Sequence, residues 1–219
     1  MKCKNFTIKL RFWRIYKMQL FETMRLENGD IPRLDYHFKR IQKSSADLKF
    51  NLNTQKWHEL IQLIRETYPK GEYRLKVTLE RDGHLDYIIA PLPEKTLFTA
   101  RLVQRTHHVN QKYLVNKTSE RHYLEHNHET DLILLYDETG KILEFDIGNI
   151  MIGEGNDLYT PTYHQDFLLG CMRQSLLDQG RMIEKDIYVD DLKKKIQANQ
   201  INLYLINSLR EVADVKIYI

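Results

Sequence analysis

Apolar and polar residues alternate through MQLFETMRLENGDIPRL (18–34), which predicts a strand, a turn at Glu27-Asn28-Gly29-Asp30 and a short return strand. The period then lengthens. In LDYHFKRIQKSSADLKF (34–50), Leu34, Phe38, Ile41 and Leu48 fall near one face of a helix. Asn53 or Thr54 can cap a second helix, QKWHELIQLIRETY (55–68), whose apolar stripe is Trp57, Leu60, Ile61, Ile64 and Tyr68 and which Pro69 and Gly71 end. Alternation returns on both sides of Asp82-Gly83 in YRLKVTLERDGHLDYIIAPL (73–92), a hairpin signature. PLPEKT (91–96) reads as a linker, which divides the chain into a small α/β domain (18–95) and a second domain (96–219).

Beyond the linker come a strand RLVQRTHHV (101–109) and the segment YLVNKTSERHYL (113–124), expected to enter a helix. A second hairpin, DLILLYDETGKILEFD (131–146), turns at Thr139-Gly140, and NIMIGEGNDLYTPTY (149–163) forms a loop-rich strand pair. FLLGCMRQSLLDQG (167–180) contains a helix opening near Gly170 and closing at Gly180; Asp190 or Asp191 caps a short basic helix, DLKKKIQA. Strands INLYLI (201–206) and VKIYI (215–219) flank a tight NSLREV loop. Hairpins mixed with helices predict a mixed α/β, or α+β, chain in two lobes.

Composition narrows the picture. The longest apolar runs, such as LILLY (132–136), are far short of the roughly 20 residues of a membrane span, so no membrane partner is expected. Two cysteines, Cys3 and Cys171, make no disulfide framework, which fits a cytoplasmic protein. The net charge of +3 is dominated by MKCKNFTIKLRFWRIYK (1–17), which holds Lys2, Lys4, Lys9, Arg11, Arg14 and Lys17 and no acid. Without it the remainder is mildly acidic and shows no basic stripe, so no nucleic-acid partner is expected. Charges interrupt every apolar run of this leader, which excludes a secretory signal, and residues 1–17 read as a start-site extension ahead of Met18.

Seven segments in order carry a resemblance: FETMR (21–25), LDYHFKRI (34–41), NKTSER (116–121), ILEFDIGNIM (142–151), LYTP (158–161), LLGCMR (168–173) and LINSLREV (205–212). From about Met18 to its end the chain resembles the class IV aminotransferase-like, fold-type IV pyridoxal-phosphate enzymes. It is most similar to the members that split 4-amino-4-deoxychorismate. The resemblance implies two lobes, a small α/β sandwich and a larger pseudo-barrel, with pyridoxal 5'-phosphate as cofactor. It also implies a homodimer with each site near the subunit interface. It requires no metal.

The resemblance assigns roles residue by residue. Lys117 would hold the cofactor's aldehyde and move the proton at the substrate's reacting carbon, for which it has to be neutral part of the time. Lys112 is near in sequence but lacks the small polar residues followed by Arg121. Glu144 would keep the pyridine nitrogen protonated, so that the ring draws electrons; otherwise it is a hairpin glutamate facing water. Asn149 matches the family residue just before the next strand. Arg40, on one helix face with His37, would grip the phosphate together with the amides of Cys171 and Met172 at a helix start, with Gly170 permitting close approach and Ser208 adding a hydroxyl. Taken alone, Arg40 would be a solvated helix arginine, Gly170 a turn and His37 a packing residue.

Thr23 separates the reactions, because branched-chain aminotransferases of this family usually have Gly after Phe-Glu and the lyase-like members carry Phe-Glu-Thr, as here. Arg25 shares the face of Thr23 on a regular strand and could meet a substrate carboxylate; Arg105 is a weaker candidate for the same task. The implied activity is a pyridoxal-phosphate-dependent carbon–oxygen lyase that forms 4-aminobenzoate and pyruvate in folate biosynthesis. Two rivals stand beside it: a transaminase acting on branched-chain or D-amino acids, and a non-catalytic remnant of the fold. The spacing from Lys117 to Glu144 is several residues shorter than the family's, which points to a trimmed helix or loop between them.

Overall fold

The computed structural model describes residues 18–105 and 109–219. The leader 1–17, and with it the start-site expectation, lies outside the described residues. The first strand, β1 (Leu20–Glu27), buries every second side chain, and the turn after it makes only an isolated bridge between Glu27 and Asp30. The expected return strand is absent: Pro32 follows, Arg33 adopts a left-handed φ of 62°, and α1 (Leu34–Leu48) begins at once. The next helix, α2 (Thr54–Thr67), is capped by Asn53, whose side chain accepts from the Lys56 amide at 3.0 Å. The hairpin β2 (Glu72–Leu79) and β3 (Leu85–Pro91) turns at Asp82-Gly83, where Gly83 has φ 98° and a Cβ would lie 2.4 Å from the Asn51 carbonyl oxygen.

These strands form a three-stranded antiparallel sheet in the order β1-β2-β3. One face carries Leu20, Met24, Leu26, Leu75, Val77 and Leu79 against Ile41, Trp57, Ile61 and Ile64 of the helices. The other face presents Phe21, Thr23 and Arg25 and their cross-strand partners Thr78, Lys76 and Arg74.

The second sheet has eight strands. It comprises β4 (Leu97–Gln104), β5 (Leu132–Tyr136), β6 (Ile142–Phe145), β7 (Gly148–Glu154), β8 (Asp157–Thr160), β9 (Ile183–Glu184), β10 (Ile201–Asn207) and β11 (Glu211–Tyr218). Their order is β10-β11-β4-β5-β6-β7-β8-β9, and β10 also pairs with β7, so six strands close into a ring. β4 pairs in parallel with both β5 and β11, while the hairpins are antiparallel. Phe98, Leu132, Leu134, Phe145, Ile152 and Leu205 fill the interior. Two helices accompany the ring: α4 (Cys171–Asp178), opening at Gly170 as expected, and α5 (Val189–Gln197). Tyr188, rather than an aspartate, is the N-cap of α5; Asp190 and Asp191 sit in its first turn, where they meet the positive end of the helix dipole.

The segment around Lys117 departs from the sequence reading. Instead of entering a helix, it leaves a short one, α3 (Gln111–Val115 in the chain order before β5), with Asn116 in an extended conformation. A single 3-10 turn, His122–Leu124, follows. The cause is the free edge of β1, an outer strand with unpaired backbone groups. Phe21 N–H donates to the Lys117 carbonyl at 3.1 Å, Ser119 N–H donates to the Gln19 carbonyl at 2.9 Å, and Leu20 bridges to Thr118. This edge pairing ties the small sheet to the segment that carries the lysine.

Candidate active site

A cavity of about 390 Å³ opens where the edge of β1 meets one end of the ring, within the roughly 300–1,000 Å³ of small-molecule sites. Its wall includes Phe21, Thr23, Lys117, Glu144, Asn149 and Ser208, drawn from far-apart stretches of sequence. Lys117 Nζ stands 4.9 Å from the centre of the Phe21 ring. Burial, reinforced by the Arg121 and Arg40 guanidinium groups, lowers its ammonium pKa to about 7. Lys112 is exposed on α3 and does not line the cavity.

Glu144 and Asn149 face each other across the β6–β7 turn. Both are buried, and both hold the segment that leads into α4. Glu144 Oε1 accepts from the Leu168 amide at 3.3 Å; Asn149 Nδ2 donates to the Leu168 carbonyl at 2.9 Å, and its Oδ1 accepts from the Gly170 amide at 2.9 Å. Burial lifts the Glu144 carboxyl to about 7, against the opposing pull of Arg121. This clamp gives Gly170 a reason beyond the one read from sequence. Its φ is an ordinary −73°, but a Cβ there would lie 2.2 Å from Asn149 Oδ1.

At the start of α4 the Cys171 and Met172 amides belong to the first turn, whose N–H groups have no partner within the helix. Gly170 and Cys171 line the cavity; the Met172 side chain packs with Met151 and Leu176. The Cys171 thiol is buried and pushed up to about 11, which keeps it protonated and unreactive. Ser208 lies in the turn between β10 and β11.

Arg40 lines the cavity and is also gripped from behind. Its Nε donates to Glu22 Oε1 at 2.8 Å, Nη2 donates to Glu22 Oε2, and Nη1 donates to the Leu169 carbonyl at 3.1 Å. Glu22 Oε2 also lies 2.7 Å from His37 Nδ1, and the Cys171 sulfur is 3.5 Å from that nitrogen. Glu22 is buried, yet Arg40 and His37 hold its carboxyl down at about 2 in spite of desolvation. Sequence reasoning passed over Glu22. The signal was its phase: on β1 it points with Leu20, Met24 and Leu26 to the apolar face, where an acid needs a partner.

Two expected substrate contacts lie elsewhere. Arg25 shares the face of Thr23, but it pairs with Glu27 at 2.9 Å and Glu72 at 3.1 Å and does not line the cavity. Arg105 donates to the Asp166 carbonyl, also outside the cavity wall. Arg74 of β2 and Arg210 of the β10–β11 turn line it instead.

The donor set suits a phosphorylated aromatic aldehyde. A lysine with pKa near 7 faces the same cavity as a buried carboxyl whose side chain has no cationic hydrogen-bond partner among the described residues, and helix-start amides beside an arginine offer an anion cup. The amino-transferase class IV family model matches residues 19–218. The chain belongs to that family. Within it, the chain is 27% identical over 209 residues to the "Putative aminodeoxychorismate lyase" of Schizosaccharomyces pombe, covering 88% of this chain and 87% of that one. The solved structure of a "Putative amino-acid aminotransferase" from Mesorhizobium loti superposes with a TM-score of 0.78 at 28% identity, covering 92% of this chain and 100% of that one. A "putative 4-amino-4-deoxychorismate lyase" from Haemophilus somnus 129PT superposes with a TM-score of 0.73 at 25% identity, covering 90% and 99%. The mixed α/β architecture, helices around a sheet barrel, is therefore the fold of the class IV aminotransferase-like enzymes.

Proposed function

We propose that the chain is a pyridoxal-phosphate-dependent lyase that converts 4-amino-4-deoxychorismate to 4-aminobenzoate and pyruvate, a step of folate biosynthesis. The observation that carries this reading is the convergence of Lys117, Glu144 and Thr23 on one cavity, with the pKa values of the amine and the acid both drawn to about 7. When bound, pyridoxal phosphate supplies an electron-withdrawing ring that stabilises negative charge on the carbon bearing the substrate amine. Glu144 is the residue for the ring nitrogen. Arg40, Ser208 and the Cys171 and Met172 amides are the residues for the phosphate. Asn149 and Gly170 set the position of those amides.

Lys117, neutral in a large fraction of molecules near pH 7, takes the proton from the carbon next to the substrate amine. Thr23, on the same wall, donates a hydrogen bond to the ether oxygen of the departing enolpyruvyl group, whose carbon–oxygen bond breaks with the electron pair leaving on oxygen. That group leaves as pyruvate after protonation, and the six-membered ring becomes aromatic, which drives the step forward.

The similarity to the Mesorhizobium loti aminotransferase favours a second reading, amino-group exchange with a keto acid. The two part at one measurement. Purified protein with added cofactor is given 4-amino-4-deoxychorismate, and pyruvate and 4-aminobenzoate are quantified; a parallel mixture contains branched-chain or D-amino acids and 2-oxoglutarate. Stoichiometric pyruvate and 4-aminobenzoate are expected. Rapid amino exchange without pyruvate overturns the lyase reading. We further propose a cytoplasmic homodimer, supported by its cysteine usage and by the exposed apolar Ile88, across from Lys76 on the outer face of the small sheet.

A further inference from the structure

Across the β1–β2 register Arg25 and Arg74 are directly opposed. Like charges in that relation repel unless anions separate them. The fold supplies two, Glu27 and Glu72, and both go to Arg25. Among the described residues no carboxylate lies within ion-pair distance of Arg74. The same holds for Arg210, whose Nη1 donates to the Pro93 carbonyl and is thereby fixed against the segment that joins β3 to β4. These two arginines line the cavity from different walls, Arg74 from the small sheet and Arg210 from the ring, where its guanidinium lies 5.6 Å from the centre of the Phe98 ring. Of the other arginines there, Arg40 is engaged with Glu22, while Arg121 lies close enough to Lys117 and Glu144 to shift both and so belongs to the reacting end of the cavity.

We propose that Arg74 and Arg210 together form a carboxylate-binding arm that selects substrates carrying an acidic group remote from the reacting amine. This deepens the proposed function and rests on its reading of the cavity as the substrate site. The lyase substrate bears two carboxylates, so one is available to the arm while the amine approaches Lys117. Arg74 is exposed, so it presents a charge that a dianion meets on entry, and Arg210, half-buried and held by the Pro93 carbonyl, offers a second charge from the other wall.

The test is calorimetric binding to the cofactor-loaded protein, with chorismate as a dianion that lacks the reacting amine and benzoate as a monoanion. Wild type is expected to bind chorismate at least about tenfold more tightly than benzoate, for an arm of two charge-assisted contacts. R74Q and R210Q are each expected to weaken chorismate binding about tenfold, with the cofactor's visible spectrum unchanged. R65Q, which removes an arginine of α2 outside the cavity wall, is expected to bind like wild type. If R74Q and R210Q bind chorismate like wild type, if wild type does not prefer it, or if R65Q weakens it as much, the arm is wrong whatever the reaction. Should the preference be present and lost in the two variants while no pyruvate forms from 4-amino-4-deoxychorismate, the arm stands and the lyase reading falls.

Discussion

Arg40 and Glu22 meet through two parallel hydrogen bonds, with the carboxylate buried and the guanidinium at the cavity wall. The pair is a support for the cavity as much as a part of it, because the remaining Arg40 contact is to the Leu169 carbonyl beside the α4 start. Arg40 is raised further above its ordinary value by Glu22, so it stays charged at every pH of interest.

Removing the acid leaves that charge buried and unpaired. Glu22→Gln is expected to cost about 3–5 kcal/mol, read by denaturant unfolding. The pH dependence has a definite sign. The folded carboxyl is held at about 2, below its ordinary 4.5, so its stabilisation is complete above about 4.5 and fades as pH falls toward 2. Glu22→Gln should therefore flatten the acid side of the unfolding profile; an unchanged profile would show that the pair carries no such linkage.

At Lys117 stability also rises with pH, but because a penalty is relieved rather than a stabilisation gained. Its folded value, about 7, lies below the ordinary 10.5, so the folded state is penalised fully below pH 7 and the penalty is gone above about 10.5. Lys117→Met is expected to raise the Tm of cofactor-free protein most at pH 6 and not at all near pH 10.5. With cofactor added, the same variant is expected to show no lysine-bound absorption band and a turnover loss of about a thousandfold or more, as for a base that also carries the cofactor.

Glu144 is raised from 4.5 to about 7, so burial of its charge costs stability above pH 7 and nothing below 4.5. Glu144→Gln keeps an oxygen for the Leu168 amide. It is expected to match wild type in thermal stability at pH 4.5 and exceed it at pH 8, while activity falls at both. Equal Tm differences at the two values would remove burial as the cause.

Gly170→Ala sets a methyl group against Asn149 Oδ1. The amide side chain has to swing away and release the Leu168 carbonyl and the Gly170 amide, at a cost of about 1–3 kcal/mol. Cofactor affinity, followed by fluorescence titration, should weaken with it. Adding Asn149→Ala should bring little further loss, because the first change has already broken the clamp.

Much of this was legible along the chain because the signals were local. Asp82-Gly83 and Thr139-Gly140 marked hairpins, and the order of short motifs pointed to Lys117, Glu144, Asn149 and Gly170 before any geometry was known. What was hidden depends on pairings between distant segments. The parallel contacts of β4 with β5 and β11, and the antiparallel contact of β10 with β7, leave no trace in a local window. The extended backbone at Asn116 and the bridge at Thr118 come from the edge of a strand far back in the chain, with Gln19 and Ser119 100 residues apart. The place of Arg25 was hidden for the same reason: the strand phase puts it on the face of Thr23, but Glu72, which pairs with it, comes from a strand far along the chain.

The ring also has an order of assembly. Its last strand, β11, sits between β4 and β10, so a nascent chain still lacking residues 211–218 leaves both neighbours with open edges. The helices and hairpin of residues 20–91 have their partners as soon as they leave the ribosome, apart from the edge at β1. The larger lobe cannot close until translation has delivered the final strand, which makes that strand the lock of the barrel and its loss an invitation to aggregate.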